Sequence, residues 1–167
     1  MKANVTGLIW EIKTKHDPSA LRHYSATFAW FNPDNTSNGG GAGSESGGVC
    51  NGLNGKCNTH AYTQAVNALQ AGQALCGFRD WRLANFDELN SLSHLGRSRP
   101  AIDIRHFPDV DLTANFLGGR IIGTWSASPD ASNANTPWVF RFDAGFAGPV
   151  LADKSIGLYA RLVRSGR

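Results

Sequence analysis

Cys50 and Cys57 are separated by Asn51-Gly52-Leu53-Asn54-Gly55-Lys56, a spacing that glycine turns can close into a small disulfide loop. An oxidising compartment favours that bridge. A reducing one would leave two thiols, and a metal site would need further ligands such as His60 and Cys76 to converge on the pair. Cys76 lies between Leu75 and Gly77 with no basic or histidine neighbour, which suits a buried small hydrophobe better than a reactive thiol. His16, His23, His60, His94 and His106 are scattered without a partner pattern, and no Gly-x-Ser-x-Gly elbow is present. A nucleophilic triad is therefore not expected.

Arg97, Arg99 and Arg105 cluster between Gly96 and Phe107, and guanidinium forks suit the sulfate or carboxylate groups of an acidic glycan. The competing expectation is that they pair with Asp103, Asp109 or Asp111 in the same stretch. A calcium site would draw on Asp103, Asp109, Asp111, Asp130 and Asp143, but Asp109-Val110-Asp111 lacks the continuation of an EF-hand loop. Turn-forming Asp side chains fit better; structural calcium has no motif behind it, and no cofactor is expected. Gly39-Gly40-Gly41-Ala42-Gly43 has neither the Lys-Ser/Thr nor the strand-to-helix context of a phosphate loop. Arg82, Arg161 and Arg164 read as braces for sheet and helix ends, and Trp81, Trp125 and Trp138 as core anchors, with Trp138 open to partial exposure.

The frame that must position these residues has 167 residues and 41% hydrophobic content, enough for one domain spanning 1–167. No apolar run is long enough to cross a bilayer, and the beginning lacks the succession of a secretory signal, as expected of a start at a domain edge or in the cytoplasm. Sixteen basic against thirteen acidic residues give a net charge of +3, too small an excess to imply a nucleic-acid partner. Only 17% of residues ionise while 19 are glycine, a composition suited to ordered loops on a compact framework.

Apolar runs predict strands over residues 5–12 and 24–31, paired in one sheet. The Gly-, Asn- and Ser-rich stretch 32–57 is either a flexible insertion or a pinned loop. Asn58-Thr59 supplies an N-cap for a helix from about 60 to 71 or a few residues beyond. Asn85 followed by Glu88 approximates a capping box, opening a second helix that carries Phe86, Leu89, Leu92 and Leu95 and stops at Gly96. Residues 97–119 read as an irregular loop region. Short strands follow at 120–126, 138–142, 146–151 and 158–163, with a turn at 143–145. Strand, two helices and then strands make an α+β domain.

Taken in order, Thr6-Gly7-Leu8-Ile9-Trp10, Cys57-Asn58-Thr59, Ala65-Val66-Asn67, Cys76-Gly77, Asp80-Trp81-Arg82-Leu83, Glu88-Leu89, Trp125-Ser126-Ala127-Ser128 and Tyr159-Ala160-Arg161-Leu162-Val163-Arg164 closely resemble the Lcl C-terminal domain family across almost the whole chain. Ala84 stands where the family usually has proline, and Ala160 where it usually has valine. The resemblance implies a C-type-lectin-like fold: two helices on short antiparallel strands with long irregular loops. Family members occur in bacterial surface or secreted proteins, among them a collagen-like adhesin that binds sulfated glycosaminoglycans. The formylglycine-generating relatives use paired cysteines in their C-terminal half, whereas the last cysteine of this chain is Cys76, so that oxidase chemistry is not expected.

What the resemblance implies is attachment without catalysis: an adhesin-type domain, extracellular, at the cell surface or periplasmic, as part of a larger or processed protein. It would bind a glycan, sulfated or not, or a protein, through loops and the C-terminal hairpin face. Asp130, Asn133, Asn135, Arg141, Phe146, Asp153, Lys154, Ser155 and Leu158 are the expected ligand face, a mixture of adaptable polar contacts, charge and apolar area. Proteins diversified by retroelements resemble this chain in ending on a similar strand, and the run 146–158 would suit a diversified face, although an ordinary hairpin of the family would look the same. The alternative is an assembly module of a bacterial envelope protein or appendage, with the same face forming a homo-oligomer.

Overall fold

The computed structural model describes residues 1–3, 5–70, 72–97, 100–110, 123–142 and 148–166. Strand β1 (Leu8–Trp10) is followed by helix α1 (Thr59–Asn67), a 3-10 turn (Leu75–Gly77), β2 (Arg82–Leu83), α2 (Phe86–Asn90), β3 (Thr124–Trp125), β4 (Trp138–Arg141), β5 (Gly148–Leu151), β6 (Tyr159–Ala160) and β7 (Leu162–Ser165). Among the described residues the strands make two small sheets, ordered β1-β7-β2 and β5-β4-β3-β6. Pairing is antiparallel except between β3 and β6, which run parallel. The domain is α+β.

Both sheets meet in the last strands. β6 and β7 are separated by Arg161 alone, so one stretch of backbone belongs first to one sheet and then to the other. Side chains alternate across a strand, and β7 is buried on both faces: Leu162 joins Phe28, Tyr62, Val66 and Trp81, while Val163 joins Trp10, Leu89, Phe107 and Phe140. A third cluster, Trp30, Trp125, Val139, Ala152 and Leu158, fills the second sheet.

The expected pairing of 5–12 with 24–31 does not occur. β1 pairs with β7 (Trp10 opposite Val163), whereas 24–31 is extended but makes isolated bridges, Phe28 with Leu158, Ala29 with Asn58 and Phe31 with Gly43. Its neighbours are loops that touch it at single points, so no ladder forms.

Both predicted helix starts are present. Asn58 Oδ1 accepts from the Ala61 amide at 2.8 Å, and Asn85 with Glu88 forms a reciprocal capping box at 2.8 Å in each direction. Both helices end early. Asn67 closes α1 by turning its side-chain amide onto the backbone of Trp81, as donor and as acceptor. α2 stops at Asn90 because the Ser91 hydroxyl donates to the Glu88 carbonyl and the chain then bends so that the His94 amide reaches Ala101. Leu95, expected on the buried stripe, is 92% exposed.

The glycine-rich stretch is pinned. A Cβ on Gly43 would lie 2.2 Å from the Trp30 carbonyl oxygen and one on Gly48 2.0 Å from that of Thr27, so only glycine lets these backbones touch. Cys50 and Cys57 form a disulfide, and the Asn58 side-chain amide donates to Glu45 O at 2.7 Å. Cys76 departs from expectation: it is exposed, with φ +53°. The turn places Leu75 against the core and Cys76 outward.

Opening the eight-residue ring of Cys50–Cys57 by Cys50→Ser with Cys57→Ser should cost about 2–3 kcal/mol from loop-closure entropy. In thermal denaturation that corresponds to a melting point lower by roughly 5–10 °C. An unchanged melting point would show that the glycine contacts alone hold the loop.

Candidate functional site

Residues 152–158 connect β5 to β6 and bring three loops together through one side chain. Asp153 Oδ1 accepts from the Ser155 amide (2.8 Å) and hydroxyl (2.6 Å), closing a tight turn. Lys154 points inward from that turn. Its ammonium lies 4.3 Å from the Trp30 ring centroid and donates to the carbonyls of Asn38 (3.1 Å) and Gly41. Its backbone amide donates to Asn135 O at 3.3 Å, and its carbonyl accepts from Trp30 N at 2.8 Å. Burial pulls the Lys154 amine below its ordinary pKa.

Trp30 is fixed in turn by its indole N–H, which donates to Ser126 O at 2.9 Å. Gly39 and Gly41 allow the 38–41 loop to lie on 129–135: a Cβ on Gly39 would meet Pro129 Cβ at 2.5 Å, and one on Gly41 would meet Ala134 O at 3.0 Å. The result is a platform of three short loops with a buried cation at its centre. Asn133, Asn135, Asp153, Ser155 and Ile156 are exposed on it.

Three of the expected ligand-face residues present no side chain. Lys154 is the buried lock, and Leu158 is a core residue whose backbone exchanges hydrogen bonds with Phe28. Asp130 is 7% exposed, its carboxylate taken up by the Ser132 amide and hydroxyl. Arg141 is half-buried at the opposite end of β4 from Trp138, where the 129–137 loop enters, so it does not join the platform. Phe146 lies outside the described residues. Within 152–158, Ala152, Lys154 and Leu158 are buried, leaving Asp153, Ser155 and Ile156 as the exposed side chains of the run.

Arg97 and Arg105 both reach Asp103, at 3.6 and 3.1 Å, and His106 Nδ1 is 3.3 Å away. The Arg105 side chain and amide hold the Asp103 carboxyl well below the usual range. Arg99 lies outside the described residues. The three brace arginines have partners: Arg82 grips Glu88, Arg164 grips Asp80 (2.6 and 3.0 Å), and Arg161 meets Asp109 at 2.9 Å. Among the described residues no three His, Cys, Asp or Glu side chains gather as metal ligands.

Sequence reasoning missed a buried ionic network. The Glu11 carboxylate accepts from Tyr62 Oη and Arg22 Nε (3.2 Å) on one oxygen, and from the Leu162 amide (3.0 Å) and Lys13 Nζ (3.2 Å) on the other. Arg161 donates to the Glu11 carbonyl at 2.8 Å. Burial pushes the Glu11 carboxyl up, but Lys13, the Tyr62 hydrogen bond, Arg22 and the Leu162 amide together hold it below its ordinary 4.5. Burial pulls Lys13 down to about 8 against the opposing attraction of Glu11. The available signal was the i, i+2 spacing of Glu11 and Lys13, which puts both on one face of an extended segment.

Glu11→Gln should destabilise the domain by about 3–5 kcal/mol at neutral pH, because Lys13 and Arg22 lose a buried counter-charge. The folded carboxyl is depressed, so its stabilisation is complete above 4.5 and fades as pH falls toward the folded value. Urea denaturation should therefore show the gap between parent and variant narrowing in acid; a gap constant with pH would mean Glu11 is not ionised in the fold.

The chain matches no curated protein and no solved structure. The profile of the Lcl C-terminal domain family matches residues 1–164, which is nearly the full length. The chain belongs to the Lcl C-terminal domain family.

Proposed function

We propose that this domain is a non-catalytic recognition module of adhesin type, with a C-type-lectin-like arrangement of loops on small sheets, that binds a glycan or protein through the Lys154-centred platform. The observation that carries the reading is the inward lock of Lys154 on Asn38, Gly41 and Trp30, which fixes loops that would otherwise have to be ordered on binding. On this rigid base, the amides of Asn133 and Asn135 offer paired donors and acceptors, Ser155 adds a hydroxyl, and Ile156 adds apolar area. That is the chemistry of sugar hydroxyls and of polar peptide surfaces.

The Cys50–Cys57 disulfide fits an oxidising compartment, and no helix of the described residues is long and apolar enough to cross a membrane. Exposure outside the cytoplasm is the setting in which an attachment domain works. The Arg97–Arg105 cluster is a weaker seat for an anion, because both side chains already serve Asp103.

A glycan and protein array probed with the parent domain should give hits that the triple variant Asn135→Ala, Ser155→Ala, Ile156→Ala weakens by about tenfold or more, while its melting point falls by no more than about 5 °C, the share expected from losing the Ser155 hydroxyl's bond to Asp153. Hits that survive the variant unchanged would move recognition off the platform. Lys154→Met keeps an apolar stem over Trp30 but loses two charge-assisted hydrogen bonds; it should cost about 2–3 kcal/mol and weaken the same hits.

A further inference from the structure

The segments that build the loop platform, 32–45, 129–137 and 152–158, carry the carboxylates Asp34, Glu45, Asp130 and Asp153 against a single basic residue, Lys154, in a chain whose net charge is +3. Burial withdraws one charge of each sign, since Asp130 and Lys154 are 7% and 5% exposed. Asp34, Glu45 and Asp153 remain at the surface. Hydrogen bonds from Thr36 and Ser37 hold the Asp34 carboxyl below the usual carboxylate range, and those from Ser155 do the same for Asp153, so both are ionised at neutral pH.

These carboxylates stand on backbone tied to the Lys154 lock. Asn38 closes the 32–38 loop, its side-chain amide donating to Asn32 O at 3.2 Å and to Asn35 Oδ1 at 3.0 Å, while its carbonyl accepts from Lys154. Beyond Glu45 the chain runs against the 155–157 turn: a Cβ on Gly47 would lie 2.1 Å from Ser155 O, and one on Gly157 3.0 Å from Gly48 Cα. That contact sets the chain at Val49, 76% exposed, beside the chain at Ile156, 39% exposed, so apolar surface adjoins the charge. Glu45 pairs with Lys56 at 3.7 Å, but with side chains 63% and 68% exposed the pair is a loose surface one that a partner can displace.

A sulfated or uronic-acid glycan needs an accessible cation, and the one cation of the three segments is turned inward onto carbonyls. A neutral sugar ring gains most from an aromatic face, yet Trp30 and Trp125 are buried and Trp138 is half-buried against Phe86. A polypeptide surface with Lys or Arg side chains around an aliphatic contact complements both the carboxylates and Ile156. We infer that the platform's partner is a protein presenting a basic epitope, an inference that rests on the platform being the binding face.

A phage-displayed library of random linear peptides panned against the immobilised domain tests this, with a synthetic copy of the tightest-binding peptide then measured by biolayer interferometry. Selected sequences should be enriched in Lys and Arg and depleted of Asp and Glu relative to the input library, and affinity should fall as salt rises. Asp34→Asn with Glu45→Gln and Asp153→Asn removes three charges while the Asn Oδ1 atoms can accept the same turn hydrogen bonds. This variant should melt within about 3 °C of the parent and bind the peptide about tenfold more weakly or worse. The inference is overturned if no peptide is enriched, if the selected sequences favour Asp and Glu or show no charge bias, or if a heparin oligosaccharide binds the parent and is lost in the Asn135→Ala, Ser155→Ala, Ile156→Ala variant. Peptide binding that survives that alanine variant would move recognition off the platform and take the basic partner with it. Binding that the alanine variant abolishes and the charge-neutral variant leaves unaltered would keep the platform and refute the basic partner alone.

Discussion

Glu11 is the point at which helix α1 and strand β7 are brought to a common register, with the 100–110 loop tied in through Arg161. Its carboxylate accepts hydrogen bonds from Tyr62 on α1 and from the amide of Leu162 where β7 begins, and pairs with Arg22 and Lys13 near the first strand. Arg161, the single residue between β6 and β7, adds the Glu11 carbonyl and Asp109. A buried ion pair gives little net stability relative to well-packed apolar groups, because desolvation offsets its attraction. Its contribution is specificity. Sliding β7 by one residue would separate the Leu162 amide from Glu11 and also exchange Leu162 with Val163 between two different cores.

How much of this was legible in the sequence depended on whether the determining contact was local. Asn58 and the pair Asn85 and Glu88 act within one helical turn, so their side chains announce the helix starts. The disulfide closes a short ring and followed from spacing and turn residues. The braces Arg82 and Arg164 were recognisable as such, although Asp80 could not be named as the partner of Arg164, 84 residues away. Residues 24–31 failed for the opposite reason. Their apolar content comes from burial between loops, and burial alone does not make a ladder. Leu95 continued a helical period that Ser91 and Ser93 had already interrupted, and periodicity cannot register the interruption.

Lys154 is the most instructive miss among the site residues. A lysine in a run of small residues near the chain end reads as a solvated contact, because most lysines are exposed. Its burial follows from two features visible only in three dimensions: the aromatic face of Trp30 under its ammonium, and carbonyls of a glycine loop that approach within hydrogen-bonding distance because no Cβ intervenes. The glycines and the lysine therefore form one device. Composition reports the glycines as freedom, whereas packing uses them as closeness.

That device constrains where such a surface can vary. In the stretch 152–158, buried Ala152, Lys154 and Leu158 are interleaved with exposed Asp153, Ser155 and Ile156, so neighbouring positions obey different rules. Asp153 and Ser155 also hold the turn that points Lys154 inward, which leaves Ile156, together with Asn133 and Asn135 on the adjoining loop, as the side chains least tied to the fold. Of these, Asn133 still accepts from the Asn135 amide at 3.0 Å. Change at Asn135 and Ile156 alters what the platform touches while leaving the lock beneath it in place, and it is at these two positions that a recognition surface on this frame can be retuned with the smallest penalty in stability.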